Sequence, residues 1–130
     1  MCGDDEDHDH EHGHIEEELF HRFLHLASHH NVSVVASVSG APLSLSEEKM
    51  RTSYLEGLFR AGLTRAVNDA ASLPEGERMD AIAGQSIVFA RLAGLLAGLF
   101  PAGSDQFHTI INAMMQGYNE PARHDHVGEP

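Results

Sequence analysis

Residues 15–30 read IEEELFHRFLHLASHH, and the spacing within that stretch decides both the fold class and the functional question. Leu19, Phe20, Phe23, Leu24, Leu26 and Ala27 recur at helical intervals, which makes one side of a helix apolar. Glu16, Glu17 and Glu18 precede them, in a first turn where the aligned peptide dipoles favour negative charge. A first helix over about residues 15–29 is expected. His21, His25 and His29 follow at i, i+4 and i+8, a stripe that drifts by only about 40 degrees per step and lies opposite Phe20, Phe23 and Leu24. Two imidazoles at i and i+4 can share one ion, and Glu18 lies beside His21 on the same side.

Toward the N-terminus the pattern changes. Residues 1–14, MCGDDEDHDHEHGH, have no apolar side chain after Met1 and Cys2, too little to offset the entropy of ordering, so a disordered acidic tail is expected. His8, His10, His12 and His14 alternate with Asp9, Glu11 and Gly13. In an extended chain alternate side chains point the same way, which lines the imidazoles along one edge and the carboxylates along the other. Neutral imidazole suits zinc, nickel, cobalt and copper, and adjacent carboxylates neutralise the ion's charge. Such a segment wraps an ion without prior folding, with weak selectivity and with competition from protons below about pH 6. It resembles the histidine tracts of many metal chaperones and transporters.

Toward the C-terminus three more helices are legible. Residues 31–45, NVSVVASVSGAPLSL, carry Val32, Val34 and Val38 on alternate positions, which fits an extended connector, or an edge paired with a second copy, better than a lone strand. Ser46 is an expected cap, and helix 2 runs over about residues 46–71 with Met50, Tyr54, Leu55, Leu58, Phe59, Leu63 and Val67 on one side. Ser72, Pro74 and Glu75 read as a helix start. Helix 3 then carries Met79, Ile82, Ile87, Phe89, Leu92, Leu95, Leu96, Leu99 and Phe100 up to Pro101. Within it Ala90, Gly94 and Gly98 leave a smooth strip for close helix packing. After a Pro101-Ala102-Gly103 turn, Ser104 is expected to cap helix 4. Phe107, Ile110, Ile111, Met114, Met115 and Tyr118 form its apolar stripe, and Asn119-Glu120-Pro121 is its expected end.

Composition narrows the partners. The chain has 130 residues and a formal charge of −12, room for one domain by the prior of roughly 100–200 residues each. Nine of its 20 acids lie in residues 1–18, where there is no Lys or Arg, so residues 19–130 hold eleven acids against eight bases, a charge of −3. An acidic head over a nearly neutral body argues against nucleic acid and against attraction to anionic membranes. Cys2 is the single cysteine, so no disulfide within the chain is implied and a cytoplasmic location is expected. Residues 81–100 contain only Gln85, Ser86 and Arg91 as polar groups. A mid-span arginine costs about 2.5–3.5 kcal/mol on insertion scales, which favours a buried soluble helix over a membrane span.

Catalytic signatures are weak. Glu18-x-x-His21 resembles the spacing of ferritin-like di-iron bundles, but those sites need a second such motif and two more inward glutamates, where this chain offers only Asp105-x-x-His108 and Glu56. Cys2 has no preorganised base, and no serine stands in a G-x-S-x-G elbow.

The expected protein is all-α: a small four-helix bundle-like domain over residues 15–120, between a disordered His/Asp/Glu-rich tail at 1–14 and a polar tail at 121–130, and dimeric because small bundles gain from shared burial. Its expected function is binding of divalent transition metal, zinc or nickel first, for storage, delivery or sensing, with a metal-accepting protein as a candidate partner. The expected ligands are His8, His10, His12, His14, Glu18, His21, His25 and His29. An interaction or apolar-ligand module using Met50, Met79, Met114 and Met115 is the competing expectation. A metal enzyme with His21, His25 or His108 in a bundle site is a third.

Overall fold

The computed structural model describes the backbone of residues 3–36, 38 and 40–128 and the side chains of residues 15–36, 38 and 40–122. It is all-α, with four helices in the order α1 (Gly3–His29), α2 (Glu48–Ala71), α3 (Glu75–Ala97) and α4 (Gln106–Gly128), and no strand among the described residues. The chain divides into two compact units, Met1–Ser33 with Arg91–Pro130, and Val34–Ala90. The first holds α1, the last turns of α3 and α4; the second holds the connector, α2 and the first part of α3.

Helix α1 begins at Gly3 rather than near residue 15. Nucleation is the costly step in helix formation, and a helix already formed over residues 15–29 extends at one hydrogen bond per residue fixed. Its other end is fixed by a device that spacing did not reveal. Asn31 adopts a left-handed backbone at φ 60°, the Val32 N–H donates to the Ala27 carbonyl at 2.9 Å and the Asn31 N–H to the Ser28 carbonyl at 3.0 Å. These two bonds make a Schellman closure with asparagine in the position glycine usually takes.

Three expected caps are corrected. Ser46 does not cap α2, whose N-cap position is Glu47 with no side-chain cap bond; the Ser46 hydroxyl accepts from Ser44 at 3.0 Å instead, while the Ser44 oxygen accepts the Ser46 N–H. Arg51 holds this corner by donating to the Leu45 and Ser46 carbonyls. Ser72 closes α2 rather than opening α3, because its hydroxyl donates to the Asp69 carbonyl at 2.8 Å and its N–H points back to Asn68. At α4 the first turn hangs from Asp105, whose carbonyl accepts from both the Thr109 N–H and the Thr109 hydroxyl. Short polar side chains serve donors and acceptors on either side of them, and the local chain path decides which.

Helix ends shift as well. Regular α3 stops at Ala97, and Leu99 and Phe100 donate to Leu96 and Ala97 in tighter turns. Phe100 precedes Pro101, whose ring disfavours helical backbone at that residue. Helix α4 instead passes through Pro121 to Gly128. The ring removes the N–H that would reach the Gly117 carbonyl, a cost of about 3 kcal/mol in a helix interior. Residues 117–122 are exposed, so water can take the freed carbonyl.

The largest correction concerns burial. Helix α3 was expected to be a buried core helix, yet it has no buried residue. Ile87 is 71 % exposed, and Val88, Phe89 and Leu92 are exposed too. Apart from the neighbouring backbone of α3 itself, no atom lies within 4 Å of a Cβ placed on Gly94, so no other element packs into the small-residue strip there. A helix apolar on every side needs neighbours on every side, and a single chain of this length supplies too few. Among the described residues Leu99 is the one buried apolar side chain.

Candidate metal centre

Within the first unit, the apolar side of α1 meets the turn after α3. Leu19, Phe20 and Phe23 line a shallow cleft of about 270 Å³ together with Leu99 and Phe100, with Glu16 at its rim. Packing on that side leaves the opposite side of α1, with its imidazoles, in solvent: His21, His25 and His29 are all exposed.

Two of the three are joined. The Nε2 atoms of His25 and His29 stand 3.3 Å apart, and the rings meet edge to face with centroids 4.7 Å apart and planes at 82°. The two ring nitrogens are within hydrogen-bond distance, and one ring donates its N–H to the other in the tautomer pair that allows it. That separation has a second meaning. A tetrahedral zinc ion with Zn–N bonds of about 2.0–2.1 Å holds two ligand nitrogens about 3.3–3.4 Å apart. The pair is therefore set at the edge length of a tetrahedral site, so two nitrogens at this separation match two of its four corners. The Ser28 hydroxyl donates to the His25 carbonyl at 2.7 Å and the Schellman closure follows immediately, so the backbone carrying both rings is well tied.

The remaining expected ligands are not gathered with them. His21 lies one turn earlier without a contact to the pair, Glu18 is exposed beside it, and no group of three or more metal-ligating side chains occurs among the described residues. The side chains of His8, His10, His12 and His14 lie outside the described residues. His108 is exposed on α4 rather than packed against its neighbours. None of His21, His25 and His108 lines either cleft, so the arrangement an enclosed metal enzyme needs is not formed by these three.

A second feature was missed from the sequence. In the second unit the connector folds beside α2 and forms an open groove of about 900 Å³, walled by Val38, Pro42 and Leu43 on one side and Met50, Tyr54 and Leu58 on the other. The signal was present in the bend residues Gly40 and Pro42, since Gly40 adopts φ 83° and turns the connector back. Comparison with known proteins gives no match, whether to a family, to a curated protein or to a solved structure.

Proposed function

We propose that the chain is a small metal-binding protein that holds a divalent transition metal, zinc or nickel, for storage, delivery or sensing. His25 and His29 form the nucleus of the site, with His21 and Glu18 one to two turns earlier on the same helix, and the imidazoles of His8, His10, His12 and His14 form a separate, adaptable donor set along the head. The observation that carries the reading is the 3.3 Å separation of two exposed Nε2 atoms on a capped helix, a spacing that a ring-to-ring hydrogen bond and a tetrahedral ion both satisfy. Open imidazole donors with few competing contacts suit an ion that must be released to a metal-accepting protein. In this reading the protein is cytoplasmic and dimeric, and its helices complete a bundle-like core by covering the apolar side chains that α3 exposes in one chain.

Calorimetric titration of zinc and of nickel into the full chain tests the proposal, beside a full-length variant with His25 and His29 both replaced by alanine. Saturable uptake that weakens at least tenfold in the variant is expected. Absence of any uptake tighter than about 100 micromolar, which corresponds to about 5.5 kcal/mol, removes it.

The groove beside α2 favours a second reading, an apolar-ligand or peptide-docking module. Leu43 stands fully exposed at its edge and Met50 is 41 % exposed, an adaptable lining of the kind that accepts varied partners. Binding of an apolar dye that is unaffected by chelator and lost in Leu58→Asp would support this reading over the metal one.

A further inference from the structure

We infer that the coordination sphere is completed by a second copy of this chain, with His25 and His29 of each copy holding one ion between two antiparallel α1 helices. The inference rests on the metal reading and adds the source of the missing ligands. A tetrahedral ion needs four donors, and the described part of one chain brings only two together.

The other donors on α1 do not complete the site: His21, one turn before His25, lies about 12 Å along the axis from His29 and makes no contact with either ring of the pair. Helix α1 is continuous from Gly3 to His29, and at about 1.5 Å rise per residue position 14 lies about 16 Å from His25 along the axis, with positions 8, 10 and 12 farther still. An imidazole extends only a few ångströms from its backbone, so the head cannot fold back on the pair while the helix is intact. Glu18 is about 10 Å away by the same count.

A second copy supplies what is missing at the right spacing. A twofold axis through the ion repeats the pair, and two nitrogen pairs each about 3.3–3.4 Å apart, set crosswise, are the four corners of a tetrahedron. The exposed side of α1 allows the approach, because His25, Ser28 and His29 are all exposed, while Leu24, Leu26 and Ala27 are half-buried. Charge sets the direction. Residues 1–18 of each chain hold nine acids and no Lys or Arg, so parallel helices would align two polyanionic heads, whereas antiparallel crossing at residues 25–29 sends them to opposite ends.

Sedimentation equilibrium and zinc titration of the full chain test this. To isolate the site, the same measurements use a full-length variant with His8, His10, His12 and His14 replaced by asparagine. The expected result is one zinc per two chains at the α1 site, and either a rise in mass from 14.2 kDa to twice that value or a dimer at least tenfold tighter with zinc than with chelator. Both effects should vanish in His29→Ala, an exposed position where helicity by circular dichroism stays unchanged. Zinc bound one per chain with no change in self-association, or a zinc-dependent dimer that survives His29→Ala, overturns the inference while leaving the metal reading in place. No zinc uptake at all sinks both.

Discussion

Helices α1 and α3 are of similar length, 27 and 23 residues, yet they divide their side chains in opposite ways. Helix α1 keeps Leu19, Phe20 and Phe23 on a side that meets Leu99 and Phe100, and keeps its imidazoles on the other. Helix α3 carries apolar residues around its whole circumference and buries none of them. By length and composition alone it is the one described helix that could cross a membrane. A helix with two faces states what each face is for. A helix without faces states only that something must surround it, and leaves the surrounding partner to the rest of the assembly.

That contrast is open to direct attack. The largest expected effect is at Ile87, which is 71 % exposed in the single chain. A substitution at a site that truly faces water changes stability by about 0.5 kcal/mol or less. If a second copy covers α3, Ile87→Asn should cost at least about 2 kcal/mol in urea denaturation and shift the protein toward monomer. A change within the smaller range would leave α3 uncovered in solution and break the proposed shared core.

On α1 the test is chemical. His29→Ala removes one of two nitrogens set 3.3 Å apart, and zinc affinity should fall at least tenfold, about 1.4 kcal/mol, with thermal stability nearly unchanged in chelator. His21→Ala, one turn outside the pair, should weaken binding less; equal losses at all three positions would mean that the stripe acts as a whole. The cap behind the pair comes next. Asn31→Ala should destabilise by about 1 kcal/mol, because alanine tolerates the left-handed backbone less well, whereas Asn31→Gly should be neutral or better. Smallest of all is Arg65→Ala, which breaks the exposed ion pair to Asp69 at 2.8 Å and should cost no more than about 0.5 kcal/mol by thermal melting.

Much of the fold was readable from periodicity. Apolar recurrence over residues 19–27, 50–67, 79–96 and 107–118 gave four helices in the right order, because side-chain spacing is a local property that survives whatever the helices pack against. Helix ends were read less well. Ser46, Ser72 and Ser104 each stand where a cap is plausible, but a hydroxyl bonds whichever group the chain path brings near. At Ser72 that was the carbonyl of Asp69 behind it. The Asn31 closure gave only a faint signal, since asparagine is as common in turns of other kinds. For the candidate site, the i, i+4, i+8 spacing named the three histidines, but rotamers decide that only His25 and His29 meet.

The amino-acid order alone settled that this is an all-helical chain with an acidic, histidine-laden head and a histidine stripe opposite an apolar one, since charge and helical period are properties of consecutive residues. Tertiary structure decided which imidazoles come within 3.3 Å of each other and which apolar residues stay in solvent. Both depend on groups brought together across turns, through side-chain torsions and neighbours that no local pattern encodes.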